Sequence, residues 1–274
     1  MPAPTLEAPE LLQPSSPAEA AAAFGDGVGV TVLAGGTIVI PELTHHRLAP
    51  RRVLMLGRAG LDQFSREGST WRIGATVSLE QVAQEGPEPL RTAAHRVADP
   101  EIRRQATIGG NLCAAPGAEA PRGDLQAALL AVGARISSAG AGGERTESID
   151  DFLAGDGARG GAAGSRLVLA IEVDEVPAAY VSLGRPHAHT YTMLSVAAAR
   201  TVAGTRVAVG GCGPRGTRVP SVERALAGGA SAADAAALVL DDVTPHDDAL
   251  ASAWYRSRVL PGLVAQALSD LERS

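Results

Sequence analysis

The chain has 274 residues, a formal net charge of −6 and a hydrophobic fraction of 45%, which suits one large or two modest domains with an ordinary core. All 24 basic residues are arginine, so a Walker A site is excluded for want of its lysine, and an acidic balance without a basic run excludes a nucleic-acid-binding protein. No apolar stretch nears the ~18 residues of a membrane span, and the acidic, proline-rich start to Pro17 lacks the basic n-region of a secretory signal, so a soluble cytoplasmic protein is expected.

Ser16-Pro17-Ala18-Glu19 has the pattern of a capping box with proline at the first helical position, and predicts an alanine-rich helix that stops near Gly25. Val28 to Leu33 reads as a buried strand. It runs into Ala34-Gly35-Gly36-Thr37, a loop with two adjacent glycines, and a second strand follows at Arg52 to Leu56. Phe64 to Ala75, turning at Glu67-Gly68-Ser69, predicts a hairpin. Ser78 and Gln81 predict a capped helix, and Pro89 to Val97 another. A second paired-glycine loop, Ala106 to Leu112, precedes a helix that opens at Asp124. Strands are expected at Ala134 to Ser138, Arg145 to Glu147 and Leu167 to Val173. Beyond Pro177, strands at Ala179 to Leu183, Leu194 to Val202 and Arg206 to Val209 are followed by helices at Ser221 to Ala227, Ala232 to Leu240 and Ser252 to Leu268. That order suggests an α+β unit with helices on one face of an antiparallel sheet.

The two cysteines, Cys113 and Cys212, stand far apart with no thiol near either, so this chain alone cannot hold a four-thiolate zinc or iron–sulfur site. Buried thiols are the expectation in a cytoplasmic setting. His187 and His189 share a face if their segment is a strand, yet no third ligand stands near, and no metal is assigned. His45 and His46 read as surface residues or partner contacts, Trp71 and Trp254 as packing residues. Paired glycines let backbone approach a ligand and turn consecutive N–H groups toward a pyrophosphate. Tight turns use the same pair without any ligand.

Taken together the loops say more. Leu33-Ala34-Gly35-Gly36-Thr37, then Thr107-Ile108-Gly109-Gly110-Asn111, then Asp124-Leu125, resemble the FAD-binding subunits of molybdenum hydroxylases, the family of carbon monoxide dehydrogenase medium subunits and xanthine dehydrogenase flavin domains. Trp71 to Ala75, Pro100 to Arg104, Ile149 to Phe152, Val209 to Pro214, Ala225 to Gly228 and Tyr255-Arg256 extend the resemblance over essentially the whole chain. It implies an α+β protein. A two-part FAD-binding fold of the vanillyl-alcohol-oxidase (PCMH) type would occupy 1–174, divided near 56, and a small C-terminal domain 177–274. It also implies cofactor contacts from Leu33, Ala34, Gly35, Gly36, Thr37, Ile38 and Val39, from Thr107, Ile108, Gly109, Gly110 and Asn111, and from Asp124, Val168 and Tyr191. The family often has a lysine beside the flavin; Val181 stands at the matching position, with Arg185 nearby.

The function implied is electron transfer. Electrons would leave a molybdopterin centre on a large partner subunit, cross iron–sulfur clusters on a small one, reach FAD here and pass to NAD+, oxygen or another acceptor. No residue of this chain is assigned a catalytic role, because the redox chemistry belongs to the flavin. Two other readings stay open on the residues: a stand-alone flavoenzyme with its own substrate, and a flavin-free scaffold. On the FAD reading, valine at Gly36 or Gly109 is expected to block the pyrophosphate and leave the fold intact.

Overall fold

The computed structural model describes residues 8–114, 123–155, 157, 165–184 and 191–274. The chain begins with β1 (Glu10–Leu12), α1 (Pro17–Phe24), β2 (Val30–Leu33), α2 (Val39–Thr44) and β3 (Arg52–Met55). The three strands are parallel in the order β1-β3-β2, which leaves β2 on an edge. Helix α1 is capped as expected: Ser16 Oγ accepts from the Glu19 N–H at 3.2 Å, and the Glu19 carboxylate accepts from the Ser15 N–H at 2.8 Å. Gly25 at φ 61 ends it. The strand expected from Val28 starts two residues later, because Gly27 and Gly29 adopt φ 78 and 69 and form a turn. Strand β1 has no local signal; three residues pair with a segment some forty positions away.

Next come β4 (Phe64–Glu67) and β5 (Thr70–Gly74), the expected hairpin. Five helices follow: α3 (Leu79–Glu85), α4 (Leu90–His95), α5 (Pro100–Gln105), α6 (Ile108–Leu112) and α7 (Gln126–Val132). The chain then forms β6 (Arg135–Gly140), β7 (Gly143–Ser148), α8 (Ile149–Ala154) and β8 (Leu167–Asp174). These strands make an antiparallel sheet in the order β4-β5-β8-β6-β7. One face carries Ile73, Ile136 and Ile171, all fully buried. The other carries cross-strand ion pairs, Arg72–Glu172 at 2.5 Å and Arg135–Asp174 at 3.0 Å, as the two-residue period of a half-buried sheet requires. The segment read as a second loop is helical over α6, since Thr107 caps it: its Oγ1 accepts from the Gly110 N–H at 3.1 Å.

The last part holds β9 (Ala178–Gly184), β10 (Thr192–Thr201), β11 (Gly204–Gly210), β12 (Thr217–Arg218), α9 (Pro220–Ala227), α10 (Ala232–Ala236), a 3₁₀ turn (Ala237–Asp241) and α11 (Ala253–Glu272). The sheet is antiparallel, ordered β12-β11-β10-β9, with α9 to α11 on one face as the sequence suggests. The opposite face is covered too. Residues 192–199 of β10 are all buried: Leu194, Val196 and Ala198 join the helical layer, while Ala197 and Ala199 join the core that α7 belongs to. Alanines on that side let the α7 backbone come close. Trp254, expected to pack, is 74% exposed. The inward stripe of α11 runs through Arg256, Leu260, Val264 and Leu268, and Trp254 lies off it. Trp71 does pack, against Phe64 at 5.2 Å between ring centroids.

Candidate cofactor site

A cavity of ≈ 930 Å³ opens where β2, α5, α6 and β8 converge, a size at the upper end for small-molecule and cofactor sites. From the first glycine segment Ala34, Gly35, Gly36, Thr37, Ile38 and Val39 line it; from the second, Thr107, Gly109, Gly110 and Asn111; and Asp124, Val168 and Tyr191 complete the expected set. Leu33 and Ile108 do not. Leu33 turns its carbonyl to β3, accepting from the Leu56 N–H at 2.9 Å, and Ile108 is fully buried in the core. His187, His189 and Arg185 lie outside the described residues. Val181 packs against the C-terminal core.

The two glycine segments meet for a steric reason. A Cβ at Gly35 would fall 1.9 Å from the carbonyl oxygen of Gln105, at the end of α5. Gly109 packs closely, though less so, on the continuation of β5, where a Cβ would lie 2.8 Å from Ala75 O and 2.9 Å from Ala75 Cβ. Gly36 instead needs its backbone angle, φ 76. The expectation that valine at Gly109 blocks only a ligand is therefore corrected: the missing side chain faces the protein's own backbone.

The main-chain amides of the two segments differ. In the second, the N–H groups from Ile108 to Asn111 have protein partners: Ile108 donates to Val77 O at 3.0 Å, Gly109 to Ala75 O at 2.9 Å, Gly110 to Thr107 Oγ1, and Asn111 to Thr107 O at 2.9 Å. In the first, the N–H groups of Gly35, Gly36, Thr37 and Ile38 donate to no partner among the described residues. Four consecutive unpaired donors on a cavity wall make a concave anion receptor. Arg51 lines the same cavity, and its guanidinium has no ion-pair partner among the described residues. This donor set fits the pyrophosphate of a dinucleotide.

The supporting wall is held by Arg103, 8% exposed, which donates to Glu80 at 2.9 Å and to the carbonyls of Val97 and Ala98 at 3.1 and 3.2 Å. Ala98, on the cavity, sits at φ 41, an uncommon angle for a residue with a side chain. Cys113 also faces the cavity, and burial pushes its thiol up to about 12, so it is a neutral thiol at physiological pH. Sequence reasoning missed Arg51 and the Gly29–Val32 wall. A strand signal was present there, but nothing local says which edge of a strand is left bare.

The fold and this cavity together define an α+β protein with a dinucleotide-sized site between its sheets. Residues 7–175 match the family model for the FAD binding domain in molybdopterin dehydrogenase, and residues 179–271 that for the CO dehydrogenase flavoprotein C-terminal domain. The chain belongs to this FAD-binding family. It is 26% identical over 268 residues to the nicotine 6-hydroxylase medium subunit of Paenarthrobacter nicotinovorans, covering 87% of this chain and 88% of that one. It is 33% identical over 149 residues to the carbon monoxide dehydrogenase medium chain of Hydrogenophaga pseudoflava, a match that spans half the length of each protein (52% and 50%). The fold is that of reconstituted CO dehydrogenase from Oligotropha carboxidovorans, with TM-score 0.83 at 24% identity over 98% of this chain and 99% of that one. Among the described residues, no helix is long and apolar enough to cross a membrane.

Proposed function

We propose that this chain is the FAD-carrying electron-transfer subunit of a molybdopterin-dependent dehydrogenase or hydroxylase. It would receive electrons from iron–sulfur clusters of a partner subunit, themselves fed by a molybdopterin large subunit, and deliver them to NAD+, oxygen or another acceptor. The observation that carries the reading is the run of four N–H groups from Gly35 to Ile38, without partners among the described residues, on a cavity of dinucleotide size, in a chain that matches the FAD-binding and flavoprotein C-terminal family models over 7–175 and 179–271.

Bound FAD supplies the two-electron redox centre; the residues position it. The first glycine segment, Ala34 to Val39, holds the pyrophosphate with main-chain donors, and the Thr107 hydroxyl adds a polar group beside it. Gly109, Gly110 and Asn111 shape the floor, while Asp124, Val168 and Tyr191 flank the rest of the cofactor. Tyr191, 49% exposed at the cavity mouth, covers the flavin end. Residues 1–174 carry the cofactor, and 177–274 form the C-terminal domain that shields α7. No disulfide links Cys113 and Cys212, in keeping with a cytoplasmic protein.

The test compares the lone protein with the reconstituted complex on aldehydes, purines and related N-heterocycles. Flavin reduction by substrate is expected only with partners present, whereas dithionite bleaches the flavin in both. Substrate-dependent reduction in the lone protein would overturn the subunit reading in favour of a stand-alone enzyme.

A further inference from the structure

Strand β2 hydrogen-bonds on one side only. Because the Leu33 carbonyl accepts from Leu56 of the β3 side, Leu33 and Thr31 turn their amides inward, and Val30 and Val32 turn theirs to the bare edge. The Val30 N–H is taken by Gly27 O at 3.2 Å. That leaves the Val30 C=O and the Val32 N–H side by side, an acceptor and a donor spaced as one rung of an unmade ladder. The cavity follows this edge: Gly29, Val30, Thr31 and Val32 all line it. A cavity on the face of a strand would meet every second residue, so four in succession mark the edge.

We propose that this edge reads the adenine of the dinucleotide as a further strand would be read. The adenine 6-amino group donates to the Val30 C=O, and its N1 accepts from the Val32 N–H. The inference rests on the FAD reading above. Its support is independent of the glycine segments, and the spacing agrees with them. From Val32 to the free amides at Gly35 and Gly36 is three to four residues, roughly 10–13 Å of extended chain, comparable to an adenosine from its base edge to its 5′-phosphate. Phe24 and Leu56 supply apolar surface at this end of the cavity. A hypoxanthine ring has the reverse pattern, an oxygen at position 6 and a proton on N1, so both contacts become repulsive and the site rejects it.

The experiment titrates FAD, its hypoxanthine analogue and FMN into deflavinated full-length protein, wild type and Val32→Pro, with Val32→Ala as control. Proline removes the outward N–H yet suits an edge position, where no ladder bond is lost. Wild type is expected to bind FAD roughly 10- to 100-fold more tightly than the hypoxanthine analogue, the discrimination of a two-point base contact. In Val32→Pro that ratio falls toward one and FMN affinity is unchanged; Val32→Ala keeps the wild-type ratio. If Val32→Pro does not fold, the wild-type ratio alone decides. Equal binding of both dinucleotides by the wild type overturns the adenine contact and leaves the FAD reading standing. Binding of neither overturns the FAD reading, and this one with it.

Discussion

The side-chain oxygen of Asn111 accepts a hydrogen bond from the backbone N–H of Leu125 at 2.9 Å. It joins the end of the second glycine segment to the start of α7, the helix against which the C-terminal sheet packs. Leu125 is fully buried, so its N–H has no water to turn to. Asn111→Ala is expected to cost about 1–3 kcal/mol, the penalty of an orphaned buried donor. Asn111→Asp keeps an acceptor and should lose less. Denaturant melts of the two variants check this, and an Asn111→Ala protein as stable as wild type would remove the bond from the account.

The two glycine segments should fail in different ways. Gly109→Val drives a branched side chain into Ala75 backbone that lies under 3 Å from the first added carbon, so it should yield little folded protein. Gly36→Ala meets only the ends of Ile40 and Leu33 at 3.0 Å or more. It should fold with a loss of about 1–2 kcal/mol from the left-handed angle and hold flavin more weakly. Thermal unfolding measured beside flavin occupancy separates the two. A well-folded, flavin-free Gly109→Val would show that this glycine faces the ligand after all.

FAD is expected to be bound without a covalent link. The cysteine on the cavity wall, Cys113, is held as a thiol by burial, with its pKa raised to about 12, and a thiol is a poor nucleophile. Acid precipitation should leave the yellow colour in the supernatant, and Cys113→Ser should keep its flavin. Alkylation of Cys113 by iodoacetamide should stay slow near neutral pH and accelerate only as the pH climbs toward 12. Flavin that stays with the pellet refutes the first expectation; rapid labelling at pH 7 refutes the second.

Arg135, and then the Thr70 hydroxyl, hold the Asp174 carboxyl below the ordinary carboxylate range. A depressed folded-state pKa means stability that is present above the unfolded value of about 4 and is lost as pH falls through the folded value. Both side chains are more than a third exposed, so Asp174→Asn should cost only a few tenths to about 1 kcal/mol at pH 7. The difference from wild type should shrink below about pH 4. A gap that instead widens in acid contradicts this sign.

Arg256 is fully buried. It donates to Asp248 at 2.8 Å and to the carbonyl oxygens of His246 and Ala251 at 2.5 and 3.1 Å. It pins the segment before α11 to that helix. Arg256→Ala removes one partner of a largely buried pair and should cost about 3–5 kcal/mol, lowering the melting temperature while leaving the flavin spectrum of the folded fraction unchanged. A melting temperature within a degree or two of wild type would refute the anchor.

Much of this protein is legible locally. Ser16 with Glu19, and Ser78 with Gln81, mark helix starts because the cap is a contact over three residues. The Phe64 to Ala75 hairpin is just as local. The C-terminal strands and helices fall close to their expected places, although the helix expected over Ala232 to Leu240 becomes a 3₁₀ turn at Ala237, and the ordered motifs point to the FAD family from sequence alone. What stayed hidden depends on residues distant in sequence. Strand β1 exists because β3 offers it an edge. Leu33 and Ile108 sit inside the motifs, yet the sheet and the core claim them. The two glycine pairs look alike as sequence; Ala75 O and Thr107 Oγ1 take the amides of one, while those of the other, on the wall of an open cavity, have no partner among the described residues. Local propensity acts over a few residues and writes itself into the sequence. Which backbone donors remain free for a ligand is settled only when distant strands have chosen their partners, because a hydrogen bond has a single direction and the fold decides what lies along it.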